Sequence, residues 1–212
     1  MIYCPNSPES ERLAETHAGR QIHRTSVAMT APTTIFLNGT SSSGKTSIAK
    51  ALQATLDEPF LYFSADIRKP MLPPFREGPG WNVGDILDNL RHGYYACISA
   101  LNSSGNFVIA DQAIEDQAWM ALCAETLVHT RTYLIGVRCP QDIAEQRELA
   151  RGDRSPGLVA SQFHTVHQCG IYDLEVDSSV LTPGECADRI KFHIGRHEPT
   201  ALKRICALKL SE

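Results

Sequence analysis

The sequence has no long hydrophobic run and no excess of basic residues. None of its 212 residues lies in an uninterrupted apolar stretch of about 18, the length that a membrane-spanning helix needs. The formal net charge is -4, whereas nucleic-acid-binding surfaces are normally basic. We therefore expect neither a membrane-embedded protein nor a nucleic-acid-binding one, and the sequence leaves the oligomeric state open.

The cysteines also lack any regular spacing. There is no Cys-x-x-Cys pair among Cys4, Cys97, Cys123, Cys139, Cys169, Cys186 and Cys206. Disulfide frameworks and zinc sites both need closer, recurring spacings, so reduced thiols in a cytoplasmic protein are favoured. His164 and His167 are three residues apart, but no further ligand cluster accompanies them, so a metal site is not predicted there. We assign no role to His167.

The first 28 residues lack the apolar segment of a secretory signal. They are polar, contain Pro5 and Pro8, and show no sustained period, which is typical of a disordered extension. Over the full sequence, 42% of the residues are hydrophobic, which is enough for one globular domain. We expect residues 1–28 to be a dispensable extension and residues 29–212 to be the domain.

From residue 33 onward, short apolar runs alternate with segments of helical period. The predicted strands are 33–38, 59–66, 107–111, 132–138 and 172–177. The predicted helices are 45–56, 83–101, 115–129, 140–151, 157–167 and 183–197. Parallel strands need crossover connections, so this alternation predicts an α/β fold of three layers, with a five-stranded parallel sheet and helices on both faces.

The segment NGTSSSGKTS, residues 38–47, lies between the first predicted strand and the first predicted helix. It contains the pattern Gly-x-x-x-x-Gly-Lys-Thr of a phosphate-binding P-loop. Small residues let successive backbone N–H groups point at an anion, while the lysine reaches the terminal phosphates and the threonine ligates magnesium. The candidate ATP-binding residues are Gly39, Thr40, Ser41, Ser42, Ser43, Gly44, Lys45, Thr46 and Ser47.

Two aspartates follow predicted strands at the edge where open α/β sheets bind ligands. Asp111 ends the third strand, where a carboxylate can hold a magnesium ion together with Thr46. Asp66 ends the second strand, where a carboxylate can orient an acceptor hydroxyl and take its proton. Either aspartate could instead cap a helix, and Asp66 could also contact magnesium.

Three arginines, Arg147, Arg151 and Arg154, recur at i, i+4 and i+7, so they share one helical face. A charged helical face is commonly just solvated. In a chain that also has a P-loop, we expect these guanidinium groups to close over the phosphates and neutralise the charge that develops during transfer.

A loop-like insert at 69–81 follows Asp66 and contains four prolines and two glycines. Its apolar residues Met71, Leu72, Phe75 and Trp81 could line a pocket for an apolar acceptor. They could equally pack the helix 83–101 against the sheet. Met71, Phe75 and Trp81 are the substrate-contact candidates.

The blocks NGTSSSGKTS, FSAD, GVRCPQDIAEQRELARGDR and IYDLEVDSS follow one another in a characteristic order. In order and spacing, the chain from about Thr34 to Arg189 resembles the chloramphenicol phosphotransferases. That resemblance implies a fold like the adenylate and shikimate kinases, the use of ATP and Mg²⁺, and transfer to the primary hydroxyl of chloramphenicol, which inactivates the antibiotic.

The resemblance also implies individual roles. Residues 39–46 would bind the triphosphate, Asp66 would be the catalytic base, and the three arginines would form a lid. Residues 176–179 would lie near the adenine. The segment between Asp66 and Asp111 departs from the family pattern, since it is shorter and carries the proline-rich insert. The resemblance therefore implies the type of reaction but does not identify the acceptor.

Three functions follow from these observations. The first is an ATP-dependent O-phosphotransferase acting on a small-molecule hydroxyl, as in chloramphenicol 3-O-phosphotransferases. The second is a kinase for a metabolite such as a nucleoside, a sugar acid or a cofactor precursor. The third is a non-enzymatic nucleotide-binding module, which would not need a base opposite the γ-phosphate or an arginine lid.

Overall fold

A five-stranded parallel sheet forms the centre of the computed structural model, which describes residues 31–72, 82–151 and 157–209. Its strands lie in the order β2-β3-β1-β4-β5. They are β1 (Thr34–Asn38), β2 (Phe60–Ser64), β3 (Phe107–Gln112), β4 (Thr132–Arg138) and β5 (Leu174–Asp177). All four neighbouring pairs are parallel, which confirms the predicted fold class.

Seven α-helices connect and cover the strands in the described part of the chain. They are α1 (Lys45–Thr55), α2 (Val83–Ser103), α3 (Gln117–Leu127), α4 (Gln141–Arg151), α5 (Leu158–Phe163), α6 (Pro183–Ile194) and α7 (Ala201–Lys209). Local sequence fixes several starts: Asn82 and Asp116 accept backbone hydrogen bonds at the N-termini of α2 and α3, and Thr182 with Glu185 forms a capping box at α6. None of the described helices is long and apolar enough to span a bilayer.

Alternate residues along each strand divide the core into two layers. Phe36 and Ala110 face one layer, where α2, α3 and α7 contribute buried residues such as Ile98 and Leu127. Ile35, Leu37, Ile109 and Ile135 face the other layer, together with residues of α1 and α6. The sheet is thus covered on both faces, as the alternation of strands and helices predicted.

The structure differs from the predicted elements in two places that matter. Strand β2 ends at Ser64, and a 3-10 helix follows at Ala65–Met71, so the expected strand 59–66 ends two residues too late. Asp66 therefore lies in the first turn of that 3-10 helix. The sequence analysis also missed α7. Its residues Ala201, Leu202 and Ile205 are buried in the core on the same face of the sheet as α3.

Strand register brings the ends of β1, β2 and β3 together at the carboxyl edge of the sheet. Asp111 of β3 is aligned with Leu37 of β1 on one side and with Ser64 of β2 on the other. The segments that leave these strands, the loop 39–44 and the 3-10 helix, consequently begin on either side of the end of β3. Ligands of open α/β folds bind at such an edge.

The loop 39–44 packs directly on β4, and Gly39 permits this approach. A Cβ atom on Gly39 would lie 2.6 Å from the carbonyl oxygen of Val137 and 2.7 Å from Oγ of Ser43. Neither contact is possible for a real side chain without a shift of the backbone or the loop. The identity of residue 39 therefore fixes how closely the loop follows the sheet.

We expect Gly39→Ala to lower the free energy of unfolding by about 1–3 kcal/mol, the usual cost of overpacking. Gly93→Ala is the matched control, because Gly93 lies inside α2 and a Cβ there meets nothing within 4 Å. Removing a helical glycine should stabilise by about 0.5–1 kcal/mol. Chemical denaturation of the two variants measures both effects; a Gly39→Ala protein as stable as the wild type would contradict the close packing.

Candidate active site

The loop between β1 and α1 has the backbone geometry of an anion-binding nest. Ser42 and Gly44 have positive φ angles of 57° and 91°, while the residues around them do not. Gly44 is the N-cap of α1, and no side chain caps that helix. The positive end of the α1 dipole therefore points at the space inside the loop, where an anion would bind.

Lys45 is buried beside this loop, with 9% of its surface exposed. Its Nζ donates hydrogen bonds to the carbonyl oxygens of Gly39, at 2.9 Å, and Thr40, at 2.7 Å. The ammonium group is thus held across the mouth of the loop by main-chain acceptors. A phosphate oxygen bound by the loop would provide the charged acceptor that these neutral carbonyls only partly replace.

Asp111, Thr46 and Tyr62 form a polar group next to the loop. The hydroxyl of Tyr62 donates to Oγ1 of Thr46 at 3.5 Å. Burial, and next the charge of the Asp111 carboxylate, raise the pKa of the Tyr62 phenol. Asp111 is 5% exposed, and its Oδ1 has no hydrogen-bond partner among the described residues. A buried carboxylate oxygen and a threonine hydroxyl at the phosphate loop are donors that fit a magnesium ion.

Asp66 is exposed at the start of the 3-10 helix. Its backbone N–H donates to Oγ of Ser64 at 3.2 Å, which sets the turn out of β2. Asp66, Lys45, Thr46 and Asp111 all line the same cavity, which has a volume of about 830 Å³. The carboxylate and the phosphate loop therefore face one shared space.

Arg147 of α4 is fixed at the end of the loop. Its guanidinium donates to Oγ of Ser178 at 3.0 Å and to the carbonyl oxygen of Ser178 at 2.8 Å. Ser178 in turn donates to the carbonyl oxygen of Ser43 at 2.7 Å. Arg147 is thus anchored to the phosphate loop through one serine, which is a more rigid position than the expected lid. Arg151 also lines the cavity, and Arg154 lies outside the described residues.

In the part of the chain that the structure describes, the cavity lining beyond the phosphate loop is mainly polar. Met71 is 63% exposed and is not among the residues that line the cavity, since the 3-10 helix carries it outward. Leu72 does not line the cavity either, and Phe75 and Trp81 lie outside the described residues. The described wall beyond the phosphate loop consists largely of Asp66, Arg68, Gln112, Glu115 and Gln162, with Ala65, Ala113 and Leu158 between them.

Near the expected adenine position, the cavity runs further along the chain than residues 176–179. Ser178 and Ser179 line it, as do the next four residues up to Pro183. Val176 is buried in the core instead, 2% exposed. Val180, at this end of the cavity, is 76% exposed.

A second set of polar residues, which the sequence analysis did not identify, supports the loop from behind. The amide of Asn38 donates to the carbonyl oxygen of Val166 and to the Tyr172 hydroxyl, both at 2.9 Å, and accepts from the Ile114 N–H. Gln162 accepts from the N–H of Ser41 at 2.7 Å and donates to Glu115 at 2.8 Å. Asn38 could have been suspected as a polar residue ending a buried strand; Gln162 carries no local signal.

His167 belongs to this supporting set. Its Nδ1 is hydrogen-bonded, at 2.8 Å, to the Tyr172 hydroxyl, which also accepts from Asn38. Burial, and next the positive charge of Arg138, lower the pKa of His167 to about 4. In the folded protein this imidazole therefore stays neutral even when the pH falls somewhat below about 6.5, the ordinary pKa of histidine.

Because the folded state depresses the pKa of His167, protonation favours the unfolded chain. Its contribution to stability is complete above about pH 6.5 and is lost as the pH falls toward about 4. We expect the stability of His167→Gln to fall less steeply over this range than that of the wild type. Denaturation at several pH values, with the exposed His92→Gln as control, measures the difference; identical slopes in all three proteins would contradict it.

The family model of the chloramphenicol phosphotransferase-like proteins matches residues 32–195. A curated protein named "Putative O-phosphotransferase", found in two strains of Mycobacterium tuberculosis, is 31% identical over 175 residues. That alignment covers 72% of this chain and 78% of the relative.

Among solved structures, a similar fold is found in the M. tuberculosis APS kinase CysC in complex with AMPPNP and APS. The TM-score is 0.59 and the sequence identity 16%, and the match covers 77% of this chain and 98% of the kinase chain. A gluconokinase from Sinorhizobium meliloti has a TM-score of 0.53 at 17% identity, over 85% and 97% of the two chains. These likenesses establish the fold of P-loop kinases. With the family match across most of the domain, the chain belongs to the chloramphenicol phosphotransferase-like family.

Proposed function

We propose that this protein is an ATP-dependent O-phosphotransferase that moves the γ-phosphoryl group to a hydroxyl of a small molecule. The observation that carries the proposal is that Asp66 and the phosphate loop line one cavity of about 830 Å³. A carboxylate that shares a cavity with Lys45 and Thr46 is useful for phosphoryl transfer to an acceptor, and membership of the family points to the same chemistry.

In the proposed reaction, the acceptor hydroxyl lies between Asp66 and the γ-phosphorus. Asp66 accepts the hydroxyl proton as the acceptor oxygen forms its bond to phosphorus and the bond to the ADP oxygen breaks. The carboxyl group of Asp66 first holds this proton. It then releases the proton to solvent, because Asp66 is exposed. The products are ADP and a phosphate monoester.

Positive groups at the phosphate end offset the charge that spreads over the phosphoryl oxygens. Lys45 would exchange its two loop carbonyls for phosphate oxygens, and Arg147, held by Ser178, would donate from a fixed direction. Arg151 lines the cavity one helical turn further on and can add a further cation. Thr46 and Asp111 would hold a magnesium ion, which supplies additional positive charge to the phosphates.

The nucleotide base would lie at the Val180 end of the cavity. Val180 and Leu181 offer apolar contact there, and the neighbouring backbone of residues 178–183 offers hydrogen-bonding groups. We therefore extend the expected adenine site from residues 176–179 to residues 178–183.

Two acceptor classes remain within the proposal. Chloramphenicol is the acceptor that the family description suggests. The polar wall formed by Asp66, Arg68, Gln112, Glu115 and Gln162 favours the second class, a polar metabolite bearing an alcohol. A wall with several hydrogen-bonding groups discriminates strongly against acceptors that leave those groups unpaired.

Asp66→Asn tests the role of the base. The amide cannot accept the hydroxyl proton, so we expect kcat to fall by about 10²- to 10⁴-fold while the affinity for MgATP changes little. Steady-state kinetics and calorimetric titration with a non-hydrolysable ATP analogue separate the two effects. Asp188→Asn, at an exposed position of α6 outside the cavity, is the control. Normal turnover by Asp66→Asn would remove Asp66 from the mechanism.

Lys45→Ala tests the phosphate grip. Loss of a charge-assisted hydrogen bond to the triphosphate should weaken MgATP binding by about 10- to 100-fold and reduce transfer as well. Lys50→Ala, at an exposed position of the same helix, should bind MgATP as the wild type does. Equal affinities in the two variants would show that the loop does not bind the triphosphate through Lys45.

A further inference from the structure

Arg68 is a cation on the acceptor wall that the proposed transfer chemistry does not use. It lies two residues after Asp66 in the same 3-10 helix, and both residues line the cavity. A 3-10 helix rises about 2 Å per residue, so the two positions are separated by roughly 4 Å along its axis. Because both side chains line the same cavity, one acceptor molecule can contact both of them.

The Arg68 side chain is held in place without being neutralised. Its Nε donates to the carbonyl oxygen of Ala65 at 3.0 Å, and its Cζ lies 5.5 Å from the centre of the Tyr94 ring. These two contacts fix the plane of the guanidinium. Within the described part of the chain, no residue accepts a hydrogen bond from its Nη atoms, and no carboxylate forms an ion pair with it.

Partial burial makes it unfavourable for the Arg68 guanidinium to remain without a counter-charge. Arg68 is half-buried, and burial is the main cause that lowers the pKa of its guanidinium, while the charge of Asp66 opposes this only weakly. A guanidinium whose two Nη groups are oriented and unpaired matches the two oxygens of an oxyanion, with which arginine forms bidentate hydrogen bonds.

Other groups on the wall can bind the remainder of a polar acceptor. Gln112 lines the cavity, with its Oε1 buried. Glu115 and Gln162 form a hydrogen-bonded pair that also faces the cavity. An acceptor with several hydroxyl groups would satisfy these side chains.

We propose that the acceptor alcohol carries an oxyanion, a carboxylate, phosphate or sulfate, and that Arg68 binds it while a hydroxyl of the same molecule faces Asp66. This inference rests on the proposed phosphotransferase function and names the substrate class of that site. It makes Arg68 a specificity residue for the acceptor, with no part in binding ATP.

The test compares acceptors that differ only in charge. The pairs are glycerate with glycerol, gluconate with sorbitol, and glucose 6-phosphate with glucose, and chloramphenicol is an additional neutral acceptor. Each is incubated with the full chain, ATP and Mg²⁺, and mass spectrometry detects the added phosphate. We expect an anionic member to be phosphorylated with a kcat/KM at least about 100-fold above its neutral partner, the scale of one charged hydrogen-bonded contact.

Variants of Arg68 identify the source of the preference. Arg68→Gln should raise KM for the anionic acceptor by about 10- to 100-fold and leave KM for ATP unchanged. Arg68→Lys keeps the charge but loses the bidentate geometry, so its KM should be intermediate. Arg204→Gln removes one exposed arginine of α7 and should match the wild type. Thermal unfolding confirms that each variant is folded.

The possible results separate this inference from the proposed function. Preferential phosphorylation of neutral acceptors, or an Arg68→Gln variant with unchanged KM, overturns the inference and leaves the phosphotransferase intact. If no acceptor is phosphorylated, inorganic phosphate is titrated into protein saturated with AMPPNP, so that the phosphate loop is filled. Binding that Arg68→Gln abolishes supports the anion site even though the proposed function has failed, whereas binding that is absent or equal in both proteins overturns it.

Discussion

The close packing of the phosphate loop on β4 is the constraint on which the site depends. Gly39 lies so near the carbonyl oxygen of Val137 that no side chain fits, and the loop then returns through positive φ angles at Ser42 and Gly44. This path places the uncapped start of α1 at the carboxyl edge of the sheet. Lys45 follows directly, so the position of the cation is set by the same backbone turn.

The rest of the loop is held by side chains from distant parts of the chain. Asn38 connects it to the segments after β3 and before β5, Gln162 binds the Ser41 amide, and Ser178 connects Ser43 to Arg147. Each of these contacts is a buried or half-buried hydrogen bond, and loss of one partner would leave the other unsatisfied. The phosphate side of the cavity is therefore rigid. The 3-10 helix supplies Asp66 and Arg68 to the same cavity, on the side where the proposed acceptor would bind.

The sequence predicted the sheet, the helices on both faces and the position of the phosphate loop, because these depend on local patterns of apolar residues and glycines. It did not predict the 3-10 helix, in which Asp66 and Arg68 both come to line the cavity. Nor did it identify Gln162 or the anchoring of Arg147 by Ser178, since contacts between residues far apart in the chain leave no local pattern. Met71, which was expected to contact the acceptor, is 63% exposed and does not line the cavity, because of the path that the chain takes after β2.

The central claim is that the γ-phosphoryl group passes from ATP, held by the phosphate loop, to an alcohol opposite Asp66. The most direct measurement supplies ATP labelled with ¹⁸O on the γ-phosphorus, in ordinary water, together with the panel of alcohols. Mass spectrometry should find ADP and an alcohol phosphate that retains all the labelled non-bridging oxygens. Labelled inorganic phosphate without any phosphorylated alcohol, or release of AMP, would contradict the account.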